Sequence, residues 1–387
     1  MIRTLLSASL AALLAVAAPA SAKESQPDRP TYGPRLEGYN YPFPVRTYAF
    51  NSQRQPLEMT YMDVAPTGPA NGRTALLLHG KNFCAATWAP TIRVLAQAGF
   101  RVIAVDQIGF CKASKPADYQ FSLPQLATNT KGLLDSLNID RAVIVGHSMG
   151  AFTAVVLANL FPERVRSLVL VDGGLPLQVP PGLSDEQIVA AVLGPAAERL
   201  HATFPTREVY RSFWKQHPAF SAGWSPVVEG YVDSDLTGEE PVLRPATRYQ
   251  AMADDTAELH RGASLLKALD ELAVETLVLR APRGLLNEPG GLYAPGYLDN
   301  WAEKLPALTV REIPDVNHYT IIMGAPGAAA VADTVREALA VASWPDSRIR
   351  VFGAPSRAGC SVGGIPDVRV QLGRQSLSLW PGSGRGT

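Results

Sequence analysis

The chain has few cysteines, no net charge and, after its N-terminus, no long apolar run. Its 387 residues include 3 cysteines, and 35 Lys and Arg balance 35 Asp and Glu. A chain without excess positive charge lacks the electrostatic footprint of a protein that binds nucleic acid or an anionic membrane. Beyond the first 22 residues, no apolar stretch approaches the length of a membrane span. We therefore expect neither nucleic acid nor a stable membrane span, and a small-molecule partner instead.

Metal-binding patterns and internal repeats are also missing. The cysteines form no C-x-x-C pair and no cluster with histidine, so the sequence predicts no metal site. What the chain does have is 47% hydrophobic and 18% charged residues, the balance of an ordinary globular protein that forms a core.

The first 22 residues have the composition of a signal peptide. Arg3 supplies the positive charge, residues 5–18 are apolar, and Ala20-Ser21-Ala22 is a small-residue cleavage site. A membrane anchor is the alternative, but the run is short and rich in alanine. We expect cleavage after Ala22 and a periplasmic or secreted protein.

The next part of the chain alternates strand and helix patterns. After an extended lead-in at 23–44, residues 45–50 and 57–64 are typical of a β-hairpin. Fully apolar runs at 74–79, 101–106, 141–146 and 165–172 then alternate with helical spacing. Such runs indicate a mostly parallel sheet covered by helices on both faces, an α/β fold with its core in 45–174 and 266–343.

Residues 175–265 interrupt this alternation. The segment contains helical patterns, including a Ser184-x-x-Gln187 capping box and a helix with Phe213 and Trp214, and no clear strand. The pattern predicts an inserted helical cap. Residues 344–387 are rich in Gly, Ser, Pro and Arg, hold Cys360, and are predicted to be a tail without stable structure.

A glycine-flanked serine follows the third of these apolar strands. Gly146-His147-Ser148-Met149-Gly150 has the G-x-S-x-G spacing of a nucleophile elbow, between a strand and a helix. The backbone N–H of Met149 begins the helix and is a candidate donor to an oxyanion. The alternative is a glycine-rich turn without chemistry.

A serine nucleophile needs a base, and His318 is our candidate. It lies between the last strand and the last helix, and loops that follow parallel strands gather at one edge of a sheet. A surface histidine is the alternative.

These segments resemble the α/β-hydrolase superfamily, in its serine-nucleophile form with a helical cap. The resemblance covers residues 45–343 and is carried by His79-Gly80, Asp106-x-x-Gly109, Gly146-His-Ser-Met-Gly150, Val171-Asp172 and Asp315-x-Asn-His318. It implies a Ser148–His318–acid triad, a second oxyanion N–H from Lys81, and no cofactor or metal. It is unspecific for the substrate.

The acid of this triad has two candidates. In the family it usually follows the strand that corresponds to 276–280, near Gly284, where this chain has no Asp. Asp172, at the end of the strand after the elbow helix, is used by some members, and we prefer it to Glu288 in the later loop. Asp172 could instead cap the glycine turn that follows it. Arg280 and Arg283 flank the later loop and could steady a carboxylate or remain solvated.

Cys84 and Cys111 occupy corresponding places in loops that leave the same sheet edge. In an exported protein we expect them to form a disulfide and Cys360 to stay free, although two buried thiols are the alternative.

The sequence thus predicts an exported serine hydrolase that cleaves an ester or similar carbonyl substrate. Trp214 and Trp224 favour an apolar substrate group, but packing of the cap explains them equally well. A cofactor-free haloperoxidase or a carbon–carbon bond hydrolase would keep the same triad, and a ligand-binding member without catalysis is the third alternative. A dehalogenase or epoxide hydrolase of this fold would carry aspartate where this chain has Ser148.

Overall fold

The computed structural model of the chain describes residues 32–179, 182–193, 199–221, 223–256 and 258–340. The predicted signal peptide, residues 23–31 of the lead-in and the predicted tail with Cys360 lie outside the described residues. Within the described part, none of the helices is both long enough and apolar enough to cross a bilayer.

An eight-stranded sheet forms the centre of the fold. Its strands are β1 Val45–Ser52, β2 Gln55–Val64, β3 Thr74–Leu78, β4 Arg101–Asp106, β5 Ala142–His147, β6 Val165–Val171, β9 Thr276–Arg280 and β10 Leu308–Glu312. They lie in the order β1-β2-β4-β3-β5-β6-β9-β10. The first two pairings, β1–β2 and β2–β4, are antiparallel, and the remaining strands pair in parallel. The mostly parallel sheet predicted from the apolar runs is confirmed.

Side chains of the central strands divide between two hydrophobic cores. On β3, Leu76 and Leu78 belong to one core, whereas Ala75 and Leu77 belong to the other. Successive side chains of a strand point to opposite faces, so a strand that is apolar at every position needs cover on both sides.

Helices supply this cover. The helices Leu123–Ser136, Met149–Leu160 and Ala263–Asp270 pack together, and Ala89–Gln97 packs against Ala325–Ala340. The described helices are α1 Ala89–Gln97, α2 Leu123–Ser136, α3 Met149–Leu160, α4 Asp185–Leu193, α5 Arg207–Lys215, α6 Pro226–Asp233, α7 Tyr249–Ala253, α8 Glu258–Arg261, α9 Ala263–Asp270, α10 Tyr297–Lys304, α11 Thr320–Met323 and α12 Ala325–Ala340, with 3₁₀ turns at Ala85–Trp88, Pro162–Arg164 and Arg199–His201.

The chain between β6 and β9 holds α4 to α9 and departs from the sequence prediction at one point. The prediction of a segment without strands was wrong there, because β7 Leu236–Glu239 and β8 Val242–Pro245 form an antiparallel hairpin. Each strand has four residues, too few for a period-two pattern to show against neighbouring turns. The predicted capping box is present: Ser184 N–H donates to Gln187 Oε1 at 2.8 Å, and Gln187 N–H donates to Ser184 Oγ at 3.3 Å.

Candidate active site

Ser148 occupies the strained turn between β5 and α3. Its φ of 51° and ψ of −124° lie outside the regions that residues other than glycine normally adopt. A Cβ at position 146 would come within 2.3 Å of Gly150 O, and one at position 150 within 2.2 Å of Leu78 O. Both neighbours must therefore be glycine, and the turn has the geometry expected of a nucleophile elbow.

His318 and Asp172 form a buried pair at the same edge of the sheet. His318 Nδ1 lies 2.7 Å from Asp172 Oδ2, and the two residues are 2% and 0% exposed. The second carboxylate oxygen, Oδ1, accepts the N–H of Ala281 at 3.1 Å. Because both oxygens are engaged, the carboxylate cannot rotate away from the histidine ring.

Glu288, the other candidate acid, lies elsewhere. It is exposed, and its Oε2 accepts the N–H of Leu286 in its own loop at 2.7 Å. The arginines of this region serve the loops: Arg280 pairs with Glu312 and donates to the carbonyls of Gly290 and Tyr293, and Arg283 donates to Asp315 O. The structure therefore brings Asp172, and not Glu288, to His318.

The loop after β3 lies directly against the elbow. A Cβ on Gly80 would come within 2.8 Å of Ser148 Cβ, so only glycine lets the two backbones approach this closely. Among the described residues, the backbone N–H groups of Lys81 and Met149 have no hydrogen-bond acceptor. Both groups remain available to a ligand oxygen.

Two buried histidines hold this arrangement in place. Burial lowers the pKa of His79, and burial together with the adjacent His318 lowers the pKa of His147 well below its ordinary value, so both rings are neutral. Neutral His147 donates from Nε2 to His318 O at 2.9 Å. His79 accepts the Gln107 N–H at Nε2, 2.9 Å away, and donates from Nδ1 to Gly80 O at 2.8 Å.

Cys84 and Cys111 are joined in a disulfide with Cα atoms 5.7 Å apart, as the loop positions predicted. Their sulfur atoms and Asp106 are the one cluster of potential metal ligands within the described ranges. Sulfurs that are already bonded to each other are not thiolate ligands, so this cluster is not suited to a metal ion.

Aromatic side chains pack near the buried ring of His147. The rings of Phe83 and His147 lie 4.8 Å apart, and Phe83 also contacts Tyr231 and Tyr319. We call residues 175–265, between β6 and β9, the inserted segment. Trp214 is buried against other aromatic rings of this segment, and Trp224 donates to Glu229 at 3.0 Å. Within the described part of the chain, neither tryptophan has a ring contact or hydrogen bond with Ser148 or His318, so their substrate contacts stay a prediction.

Sequence reasoning missed Phe83 and Tyr319, although their positions offered a signal. Phe83 follows His79-Gly80 by three residues, and Tyr319 follows His318 directly. Residues this close to two motifs that end at the same sheet edge are expected to line that edge.

Comparison with known proteins identifies the fold family. The sequence profile of the alpha/beta hydrolase fold family matches residues 75–325. The crystal structure of a probable hydrolytic enzyme from Pseudomonas aeruginosa PAO1 is 36% identical and covers 80% of this chain and 98% of its own, with a TM-score of 0.58. The chain belongs to the alpha/beta hydrolase fold family.

Curated relatives of this alpha/beta hydrolase fold protein match over shorter stretches. A 2-hydroxy-6-oxononadienedioate/2-hydroxy-6-oxononatrienedioate hydrolase from Paraburkholderia xenovorans is 43% identical over 105 residues, 26% of this chain and 36% of that protein. The chain thus spans well under half the length of this relative. A meta-cleavage product hydrolase from Pseudomonas fluorescens IP01 shares the fold at 21% identity and a TM-score of 0.54, over 75% of this chain and 98% of its own.

Proposed function

We propose that the protein is an exported serine hydrolase that cleaves an ester or a similar carbonyl compound through Ser148, His318 and Asp172. The observation that carries the proposal is the buried 2.7 Å contact between His318 Nδ1 and Asp172 Oδ2 at the edge where Ser148 lies. Because the carboxylate accepts the proton on Nδ1, it fixes the ring in the tautomer whose Nε2 can act as a base. The resemblance to signal peptides in residues 1–22 supports export.

The chemistry follows from these positions. Ser148 Oγ attacks the carbonyl carbon while His318 Nε2 takes the hydroxyl proton, and the oxygen of the carbonyl gains the negative charge. The N–H groups of Met149 and Lys81 donate to this oxygen. The protonated His318 returns its proton to the departing alcohol, which leaves an acyl-enzyme that water releases in the same way. No cofactor takes part in these steps.

Ser148 Oγ and the His318 ring, both in the described part of the chain, are not hydrogen-bonded to each other. Catalytic hydrogen bonds are often long in an empty site and shorten when substrate is bound. We therefore expect substrate to complete the contact.

The first prediction tests the three roles by substitution. Ser148→Ala and His318→Ala should each lower kcat for p-nitrophenyl esters by several orders of magnitude, with the double variant little worse than either one. Asp172→Asn should cost roughly 10⁴-fold, because the histidine then adopts the wrong tautomer, whereas Glu288→Gln should change little. Ester hydrolysis and labelling by a fluorophosphonate probe, with folding followed by circular dichroism, measure these effects.

Ser167→Ala is the matched control. Ser167 is a buried serine on β6 whose hydroxyl has no hydrogen-bond partner in the described ranges, so its loss should leave labelling intact. A Ser148→Ala protein with near-normal turnover would contradict the proposal. Absence of labelling in folded wild-type protein would favour a ligand-binding protein without catalysis.

A carbon–carbon bond hydrolase of the same fold is the second candidate. It is supported by the similarity to the Paraburkholderia xenovorans relative, whose name states hydrolysis of a dienedioate. Both candidates use the same serine, so labelling cannot separate them. A comparison of kcat/KM for a series of p-nitrophenyl esters and for a meta-cleavage product separates the two candidates, since the enzyme should prefer its true substrate class by orders of magnitude.

Export is tested separately, by a processed N-terminus at residue 23 and by recovery of the protein from the periplasm or medium.

A further inference from the structure

Side chains of the inserted segment hold the loop between β3 and the first 3₁₀ turn in place. We call residues 80–83 the oxyanion loop, because they include the Lys81 N–H assigned to the substrate oxygen under the proposed function. Gly80 packs against Ser148 on one side. The next two side chains, Lys81 and Asn82, both reach residues of the inserted segment.

Lys81 forms a buried ion pair with Asp255, which lies between α7 and α8. Lys81 Nζ contacts Asp255 Oδ1 and also lies 3.5 Å from Ala251 O in α7. The two side chains are 5% and 1% exposed. The partners are 174 residues apart in sequence, so the contact joins the catalytic edge of the sheet to the segment inserted after β6.

The surroundings of this pair are rich in carboxylates. Burial, with the nearby charge of Asp255, raises the pKa of both Asp254 and Glu258, and the Lys81 ammonium opposes this effect at each. The second oxygen of Asp255, Oδ2, is buried and has no hydrogen-bond partner among the residues that the structure describes. Among the described residues, Lys81 is the cation that forms an ion pair with Asp255, and loss of its charge would leave a buried carboxylate unpaired.

Asn82 makes the second contact with the inserted segment. Its Nδ2 donates to the hydroxyl of Tyr231 on α6 at 3.3 Å, and its φ of 61° lies in the left-handed region. Burial keeps the pKa of Tyr231 well above its ordinary value, so this hydroxyl stays protonated. Two adjacent residues of the oxyanion loop are thus tied to two separate helical elements of the inserted segment.

A buried ion pair is a poor device for stability alone. Its desolvation offsets most of the attraction, and well-packed apolar residues often stabilise a fold as much. Such a pair instead fixes the positions of its two charged groups, because these groups tolerate few alternative arrangements. The backbone N–H of Lys81 belongs to the same residue, so the place of the ammonium constrains the place of the N–H.

We infer that Asp255 is a positioning residue for the oxyanion loop: by holding the Lys81 side chain, it sets the distance between the Lys81 N–H and the oxygen that develops charge beside Ser148. The inserted segment is then part of the apparatus that stabilises the transition state, and not only a cover over the substrate. The inference rests on the proposed serine hydrolysis.

The second prediction separates positioning from stability. Lys81→Met and Asp255→Leu each leave one buried charge unpaired, so each should lower Tm by about 5 °C or more and lower kcat. The double variant removes both charges and should recover most of the lost Tm. Its kcat should nevertheless stay roughly 10- to 100-fold below wild type, since a displaced donor stabilises the oxyanion less well. KM should change by less than about threefold, because ground-state binding does not depend on this donor.

Arg211→Met with Asp233→Leu is the matched control. This ion pair of 2.6 Å joins α5 to α6 within the inserted segment, with side chains 18% and 12% exposed. The control should lower Tm, because Arg207 loses its ion pair with Asp233 at 3.6 Å. Its kcat should stay within about twofold of wild type, because within the described residues neither Arg211 nor Asp233 has a hydrogen bond or ion pair with the oxyanion loop.

Three outcomes would overturn the inference. Recovery of kcat together with Tm in the Lys81→Met/Asp255→Leu double variant would reduce the pair to a structural contact. Wild-type kcat in either single variant would do the same, and an equal loss of kcat in the control would mean that any weakening of the inserted segment lowers turnover. Ser148→Ala, measured in the same p-nitrophenyl ester assay, keeps these failures apart from failure of the proposed function.

Discussion

At the scale of single residues, the site depends on two residues whose backbone conformations are rarely adopted by residues other than glycine. Ser148 and Asp172 have φ values of 51° and 45°, in a region that costs residues other than glycine on the order of 1–3 kcal/mol. The sheet holds both in place, since Ser148 N–H donates to Val171 O at 3.0 Å and Asp172 N–H donates to Leu279 O at 2.7 Å. Strain at these two positions is thus maintained by the hydrogen bonds of the neighbouring strands.

His147 extends this support to His318 and makes stability depend on pH. Its folded-state pKa is held well below 6.5, chiefly by burial, whereas in the unfolded chain the ring titrates near that value. Below about pH 6.5 the unfolded state therefore binds a proton that the folded state does not. Stability is complete above this pH and falls as the pH decreases.

The third prediction follows from this linkage. Wild-type protein should lose up to about 1.4 kcal/mol of unfolding free energy per pH unit below 6.5 on account of this residue alone. His147→Gln keeps a donor for His318 O and removes the titration, so its stability should fall less steeply. Denaturant unfolding at several pH values from 7.5 to 5 measures the two slopes. Equal slopes would mean that His147 becomes protonated in the folded protein as readily as in the unfolded one.

At the scale of elements, two loops on neighbouring strands are tied together twice. The disulfide joins Cys84 to Cys111. Independently, Asp106 at the end of β4 accepts the N–H of Ala85 at 2.8 Å on Oδ1 and the N–H of Lys112 at 3.3 Å on Oδ2. The carboxylate thus binds the residue that follows each cysteine, so the two links fix the same pair of loops.

The fourth prediction distinguishes the two links. Replacing both cysteines by serine opens a closed loop whose ends are 27 residues apart, which should lower the free energy of unfolding by about 3.5 kcal/mol through chain entropy. Turnover below the melting temperature should stay within about threefold of wild type, because Asp106 still holds both loops. Asp106→Asn, with the disulfide intact, is the informative comparison. If loss of the disulfide alone abolishes activity at a temperature where the protein is folded, Asp106 is insufficient to position the loops.

At the scale of the whole molecule, strand order brings the site together. β5 pairs with β3 on one side and β6 on the other, so Gly80, Ser148 and Asp172 leave adjacent strand ends. After β3 the chain places the next strand toward one edge of the sheet, and from β5 onward it adds strands toward the other edge. Ligands of open parallel sheets bind at such a switch point. His318 reaches the same edge from beyond β10, the last strand of the order.

The fifth prediction concerns residues 344–387, which lie outside the described part of the chain. Their sequence lacks the apolar periodicity that offsets the entropy of ordering, and every described element ends by Ala340. A protein truncated at Trp344 should therefore keep its Tm within about 2 °C and its kcat/KM for an ester within about twofold. Thermal unfolding and kinetics of the two lengths test this, and a large loss in either would show that the removed segment packs on the core.

The sequence by itself determined those features that depend on local sterics and periodicity. Gly146 is required by a contact within the turn, with Gly150 O, and the G-x-S-x-G spacing lies within five consecutive residues, so the elbow could be recognised from the sequence. Glycine at position 150 is also required by Leu78 O of the neighbouring strand, a contact that the spacing alone does not show. Apolar runs identified the buried strands, since side-chain alternation is a property of each strand alone. Placing Asp172 and His318 at one edge needed in addition the rule that loops after parallel strands gather there.

Only the tertiary structure decided which distant side chains meet. It engaged Asp172 with His318 and Ala281 and left Glu288 in its own loop, a choice that depends on β6 pairing with β9. It also joined Lys81 to Asp255 and buried Trp214 within the inserted segment. Contacts over such separations depend on how whole elements pack. The sequence around a charged residue or a tryptophan in an inserted segment has no local pattern that identifies its partner.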